Sequence, residues 1–312
     1  MVREAVVRFR AMTSWVPGSL SVEGVARLAE GVGLGFAPRT MRGGWSPRRT
    51  VKVTQQAWAR LLAEGYGQSL DLEGEGGDLQ ISYVAMWGME ILIWTLDQWP
   101  NDWATVLDEW SLSPGFTAGY VGDPDDQFWQ SADHVSTYEL FQRPVPTHKI
   151  VTDPETQWQR IDVSGNPGRM IGMPGFWFCA GASIWLAPPS FPILAEHRLR
   201  AFAGAVPVAT SSTIRIDLFD AAAPEATIRA RQQALLDHLD LDAVLAGIDP
   251  SGRQGDASVR YAIRTEGPVR LEVTRWFTAD GHTPSRRSAA AQEQSTTYRH
   301  DGSLMEVREK HL

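Results

Sequence analysis

At 312 residues, with 43% hydrophobic against 21% charged residues and a formal net charge of −8, the chain has a folded protein's composition, which excludes global disorder. The opening Met1-Val-Arg-Glu-Ala-Val-Val-Arg-Phe-Arg lacks the apolar run of a secretory signal. Phe176–Pro189, the longest nearly uncharged apolar run, falls short of the roughly 20 residues that cross a bilayer, and the single Cys179 excludes an intrachain disulfide. A cytoplasmic protein with a buried thiol and no membrane span is therefore expected, and the length prior gives roughly two domains.

In chain order, Val6–Arg10 reads as a strand. Ser21–Gly31 reads as a helix, with Val22, Val25 and Leu28 at helical spacing, Ser21 as cap and glycine at the end. Gly31-Val-Gly-Leu-Gly35 follows this helix, whereas a dinucleotide-binding loop needs a strand before it and a helix after it; a helix-terminating loop is expected. Arg39, Arg42, Arg48, Arg49 and Lys52, with Trp45 among them, form a basic stretch. Net negative charge opposes polyanion binding, so these bases are expected to pair with the acidic residues that follow, and no nucleic-acid partner is expected.

Thr54–Ala63 reads as a second helix, Asp71–Asp78 as a glycine-rich acidic turn, and Leu79–Val84 with Glu90–Leu96 as an antiparallel pair around Trp87-Gly88. Asp102–Trp110 is a short helix, Ser113-Pro-Gly-Phe a turn and Gly122–Asp133 a loop. The Pro-rich Arg143–Asp162, with Asp153-Pro as a turn, marks a boundary. Beyond it come a buried strand over Phe176–Leu186, a helix over Ile193–Ala203, a strand over Thr213–Phe219 and a helix over Pro224–Asp240. Pro224 suits the first turn of that last helix. Ala11-Met-Thr-Ser-Trp-Val-Pro-Gly-Ser and Ala182-Ser-Ile-Trp-Leu-Ala-Pro-Pro-Ser share a layout of strand, Trp, proline turn and helix. Val259–Thr265, Val269–Thr278, Ser295–His300 and Leu304–Arg308 alternate at period two between Gly-containing turns, as a β-meander does. The expected fold is α+β: two related lobes of mostly antiparallel sheet with packed helices (1–150 and 151–250), then a C-terminal β-meander (251–312).

Residues 61–140 hold no Lys or Arg, fifteen acids and six of the thirteen tryptophans. One reading makes the tryptophans core and the acids solvated faces. The sharper reading takes loops 71–78 and 122–129 as one surface. Glu73, Glu75, Asp78, Asp123, Asp125 and Asp126 supply its charge, and Phe128 and Trp129 its apolar anchors, for a basic protein partner. No HExxH, GxSxG, CxxC or P-loop sequence is present, so no metal or cofactor is expected. The enzyme alternative is a hydrolase-like site built from Asp123, Asp125, Asp126 or His134 in a cleft.

The opening strand and Ser21–Glu30 helix, Leu79-Gln-Ile-Ser-Tyr-Val-Ala-Met-Trp-Gly, the later strand and Pro-Pro turn, and the Phe219-Asp-Ala…Pro-Glu helix start resemble bacterial immunity proteins. These neutralise polymorphic and type VI-secreted toxins. The resemblance is one of layout over residues 5–245, from which the C-terminal meander departs. It implies an intracellular, non-enzymatic α+β protein that binds a toxin domain and blocks its active site.

Overall fold

The computed structural model describes residues 8–20, 37–43, 46–64, 69–84, 87–152, 157–209, 211–248, 259–264, 270–282, 284, 287–299 and 301–312. The Ser21–Gly31 helix, the glycine run to Gly35, Trp45 and the Asp153-Pro turn lie outside them. The fold is mixed α+β: a large antiparallel sheet with packed helices and a separate C-terminal four-stranded sheet. Among the described residues no helix is long and apolar enough to cross a membrane.

The large sheet uses β1 (Phe9–Trp15), β2 (Ala37–Gly43), β3 (Ser46–Lys52), β4 (Ser69–Glu75), β5 (Gly77–Val84), β6 (Met89–Leu96) and β7 (Phe116–Gly122). After the short hairpins β8–β9 (Ile150–Thr152, Gln159–Ile161) and β10–β11 (Ile171–Met173, Phe176–Phe178), it adds β12 (Ser183–Leu186), β13 (Ala205–Pro207) and β14 (Ile214–Asp217). Its order is β13-β14-β12-β7-β1-β6-β5-β4-β2-β3, antiparallel throughout. Strands from residues 1–150 and 151–250 thus share one sheet, joined where β7 pairs with β12. The two similar segments meet here: β1 and β12 flank β7, and Trp15 and Trp185 both enter the same core.

Side chains alternate across the pleat, so the two faces build two cores. On one face Phe9, Trp15, Leu79, Ile81, Leu92, Trp94 and Trp185 pack beneath α1 (Gln55–Glu64) and α2 (Trp103–Ser111), which contribute Leu61, Leu107 and Trp110. On the other, Met12, Tyr120, Ile184, Leu186 and Ile216 meet the β10–β11 hairpin and the helices that follow. Those helices are α5 (Phe191–Leu194), α6 (Glu196–Ala201), α7 (Glu225–Leu239) and α8 (Leu241–Ala246). Burial on both faces explains why β7 has no exposed residue. Trp94 and Trp110 are core, in agreement with the first reading of the Trp-rich region.

The meander runs β15 (Val259–Arg264), β16 (Arg270–Phe277), β17 (Gln292–Arg299) and β18 (Leu304–His311) in sequential order. Tyr261, Leu271 and Val273 dock it on the second core.

Tertiary contacts revise several expected elements. Phe176–Leu186 is two strands, because Gly181 crosses β7 so closely that a Cβ there would lie 2.3 Å from the Val121 carbonyl oxygen. The Ile193–Ala203 helix breaks at Ala195, whose φ is +58°. Asp71–Asp78 is a tight reversal within the β4–β5 hairpin, turning at Gly76 and Gly77. The Gly122–Asp133 loop contains helix α3 (Pro124–Ser131), which leads to α4 (Val135–Leu140).

Candidate protein-binding surface

The central strand β7 ends at Gly122 and delivers Asp123 to the start of α3. There the Asp123 carboxylate accepts the Asp125 backbone N–H at 3.0 Å, with Pro124 in the first helical position. Asp125 and Asp126 in the first turn complement the helix dipole. Gln127 and Gln130 share the inward face and are buried. A Cβ on Gly122 would sit 2.7 Å from Gln127 Nε2, so the Gln127 side chain packs directly against the strand end. Asp126 also faces inward and meets Arg229 of α7: Nη1 donates to Oδ2 at 2.9 Å and Nη2 bonds to Oδ1. Burial raises the Asp123 carboxyl above the ordinary aspartate range; the neighbouring carboxylates of Asp125 and Asp126 add to this and the Asp125 N–H opposes it.

The outward face of α3 presents Phe128 and Trp129, and α4 brings Tyr138 and Phe141 against them. Ring centroids lie 5.0 Å apart for Phe128–Trp129, 5.6 Å for Phe128–Phe141, 5.2 Å for Trp129–Tyr138 and 5.7 Å for Trp129–Phe141. These spacings suit edge-to-face contacts. The Arg143 guanidinium stands 4.1 Å from the Trp129 ring centroid. Phe128 is 39% exposed, Phe141 56% and Leu140 77%.

The platform is fixed from beneath. Asn166 Nδ2 donates to the Gln130 carbonyl at 2.9 Å, Met170 N–H to Ser131 Oγ at 2.9 Å, and Ile161 N–H to the Asp133 carbonyl at 2.7 Å. Asp125 and Glu139 lie exposed on the same two helices, and among the described residues no partner engages either carboxylate.

The other expected surface residues are placed differently. Glu75 pairs with Arg39, and Asp71 accepts Arg42 at 2.9 and 2.7 Å, the pairing anticipated for the basic stretch. Asp78 is half-buried, and burial raises its carboxyl against the lowering pull of Arg10 and Arg8. Across the sheet, Gly122, Arg10, Thr95, Asp78 and Glu73 stand in one cross-strand row. Loops 71–78 and 122–129 therefore share an end of the sheet, but Arg10 stands between them. They do not form one continuous anionic face. Of the fifteen acids, Asp71, Glu75, Asp97, Asp108 and Asp126 each lie within ion-pair distance of an arginine; the Asp97, Asp108 and Asp126 partners come from segments outside the basic stretch.

Of the residues of the enzyme alternative, Asp123 caps a helix, Asp126 is held by Arg229, and His134 sits 3.6 Å from Asp133. Among the described residues no group of three or more His, Cys, Asp or Glu could hold a metal ion. Cys179 is buried, which pushes its thiol pKa well above the ordinary range and away from nucleophile chemistry. Sequence reasoning found Phe128 and Trp129 but missed Tyr138, Leu140 and Phe141. The signal available was a second aromatic pair at three-residue spacing just after the first.

Comparison of the chain with protein-family models, curated proteins and solved structures finds no match. The class defined by fold and surface is a mixed α+β protein with an exposed aromatic platform.

Proposed function

We propose that this chain is a non-enzymatic binding protein that docks a basic protein on the α3–α4 platform. We further propose that the partner is a bacterial toxin, which the chain neutralises as an immunity protein. The observation that carries the reading is the cluster of exposed Phe128, Leu140 and Phe141 around a half-buried Trp129, hydrogen-bonded from below and flanked by the exposed carboxylates of Asp125 and Glu139, which no partner engages among the described residues. Packed, pre-ordered aromatics supply binding energy at little ordering cost, and the free carboxylates select a cationic partner. On the 71–78 loop, Glu73 is exposed, Glu75 pairs with Arg39 and Asp78 is half-buried, so the α3–α4 platform offers the aromatic anchors that loop lacks.

The test is titration calorimetry against the product of the adjacent reading frame, with growth rescue on co-expression. Nanomolar affinity, about −12 kcal/mol, is expected. Phe141→Ala should weaken it by roughly 30-fold, as a hot-spot truncation of about 2 kcal/mol does. Asp125→Lys and added salt should both weaken it further. Binding that is absent, or indifferent to both substitutions, refutes the platform.

A further inference from the structure

Among the described residues, β18 forms an edge of the C-terminal sheet. β18 is the outermost strand of β15-β16-β17-β18, and all eight of its residues are exposed, Met305 at 48% and Val307 at 47%. An edge strand of this length offers a row of unpaired N–H and C=O groups to any strand that can align with it. The β17–β18 ladder is regular from Glu306 to His311, and its one irregularity lies at the Leu304 end.

The strand's own sequence limits what can align. In a two-fold antiparallel pair, outward-pointing backbone groups must face one another, so each register centres on a residue that faces its own copy. Registers centred on Glu306, Arg308, Glu309 or Lys310 set like charges directly opposite, which is destabilising. Within this stretch Val307 and His311 alone carry no formal charge, and His311 is the strand's last residue, where a self-centred register would leave almost no overlap. Centring on Val307 places Val307 against Val307, sets Glu306 opposite Arg308 twice, and puts Met305 opposite Glu309 and Leu304 opposite Lys310, with no like charges facing. In the isolated chain Arg308 Nε already donates to Glu306 Oε1 at 2.8 Å, so both charges stand on one face, ready to exchange partners across the two-fold.

We infer that a second copy of this chain is the occupant: β18 pairs antiparallel with β18 of another molecule in the register centred on Val307, making one eight-stranded sheet. The register centred on Arg308 also sets Glu306 opposite Lys310 but places Arg308 against Arg308, so only the Val307-centred alignment pairs opposite charges without setting like charges face to face. The inference is independent of the α3–α4 platform, because it concerns a different sheet.

Analytical ultracentrifugation of the full chain, over a concentration series reaching about 200 μM to cover a small interface, should show reversible dimerisation. Glu306→Arg should weaken it at least 10-fold. Glu306→Arg with Arg308→Glu should restore it to within about 3-fold of the native constant, because the swap preserves complementarity only about Val307. As a second measurement, Val307→Cys should cross-link as a disulfide dimer on mild oxidation, since only the self-facing residue meets its own copy, and Glu309→Cys should not. The native Cys179 is buried and leaves the readout clean. A chain that stays monomeric across the series overturns the inference. So does dimerisation untouched by Glu306→Arg, a charge swap that folds but fails to restore association, or cross-linking at residue 309 instead of 307.

Discussion

Trp185→Phe probes the first core beside the seam where β12 joins β7. Trp185 is fully buried on β12, edge-on to Trp103 at 6.0 Å, and its Nε1 donates to Asp108 Oδ1 at 2.7 Å. Asp108 is partly exposed and also accepts Arg215 Nη1 at 2.8 Å, so it remains paired when the indole is lost. The hydrogen bond to this carboxylate therefore falls at the low end of charged bonds, about 1.5 kcal/mol. The missing ring atoms leave a small cavity worth roughly another 1–2 kcal/mol. A loss of about 3 kcal/mol in all corresponds to a melting point lower by roughly 5 °C in a chain of this size. Urea titration with unchanged slope would attribute the loss to the native state. In a cycle with Asp108→Ala, the coupling energy should be about 1 kcal/mol; a value under about 0.3 kcal/mol would refute the bond as the cause.

Three further outcomes are expected. Asp123→Asn keeps a good helix cap but removes a carboxyl raised by burial. Because the raised group binds protons more readily folded than unfolded, its ionisation costs stability as pH rises from the unfolded aspartate value through the raised one; the variant should melt higher than the native chain at neutral pH and equally in acid below that window. Gly181→Ala, whose Cβ would strike the Val121 carbonyl, should lose about 1–3 kcal/mol or more by denaturant titration, since backbone cannot yield. Leu140→Ala, at a 77% exposed position, should leave the melting point nearly unchanged while weakening partner binding; a large stability loss would mean the side chain is structural.

Elements with strong local periodicity were legible in the chain. The β5–β6 hairpin, α1, α2, α7 and the meander each carry their burial pattern within one contiguous run. The central strand β7 did not, since Phe-Thr-Ala-Gly-Tyr-Val-Gly shows neither alternation nor a β-branched run. Its small residues are explained by crowding: a Cβ on Gly119 would meet Phe116 and Thr13 at 3.1 Å. Helix α3 was hidden for a related reason, because Asp-Pro-Asp-Asp is turn chemistry as readily as an N-terminal cap.

By itself the sequence determined the α+β class, the C-terminal meander and the crowding of acids among tryptophans, because each is a local pattern of residue type. Only the tertiary structure decided which acids remain free. Arg39, Arg42, Arg215 and Arg229 come from distant segments to meet Glu75, Asp71, Asp108 and Asp126, and Phe141 folds back onto Trp129 to make a platform of what reads as scattered aromatics. Charge is a property of a residue, but an exposed charge is a property of its neighbours, and strand order sets those.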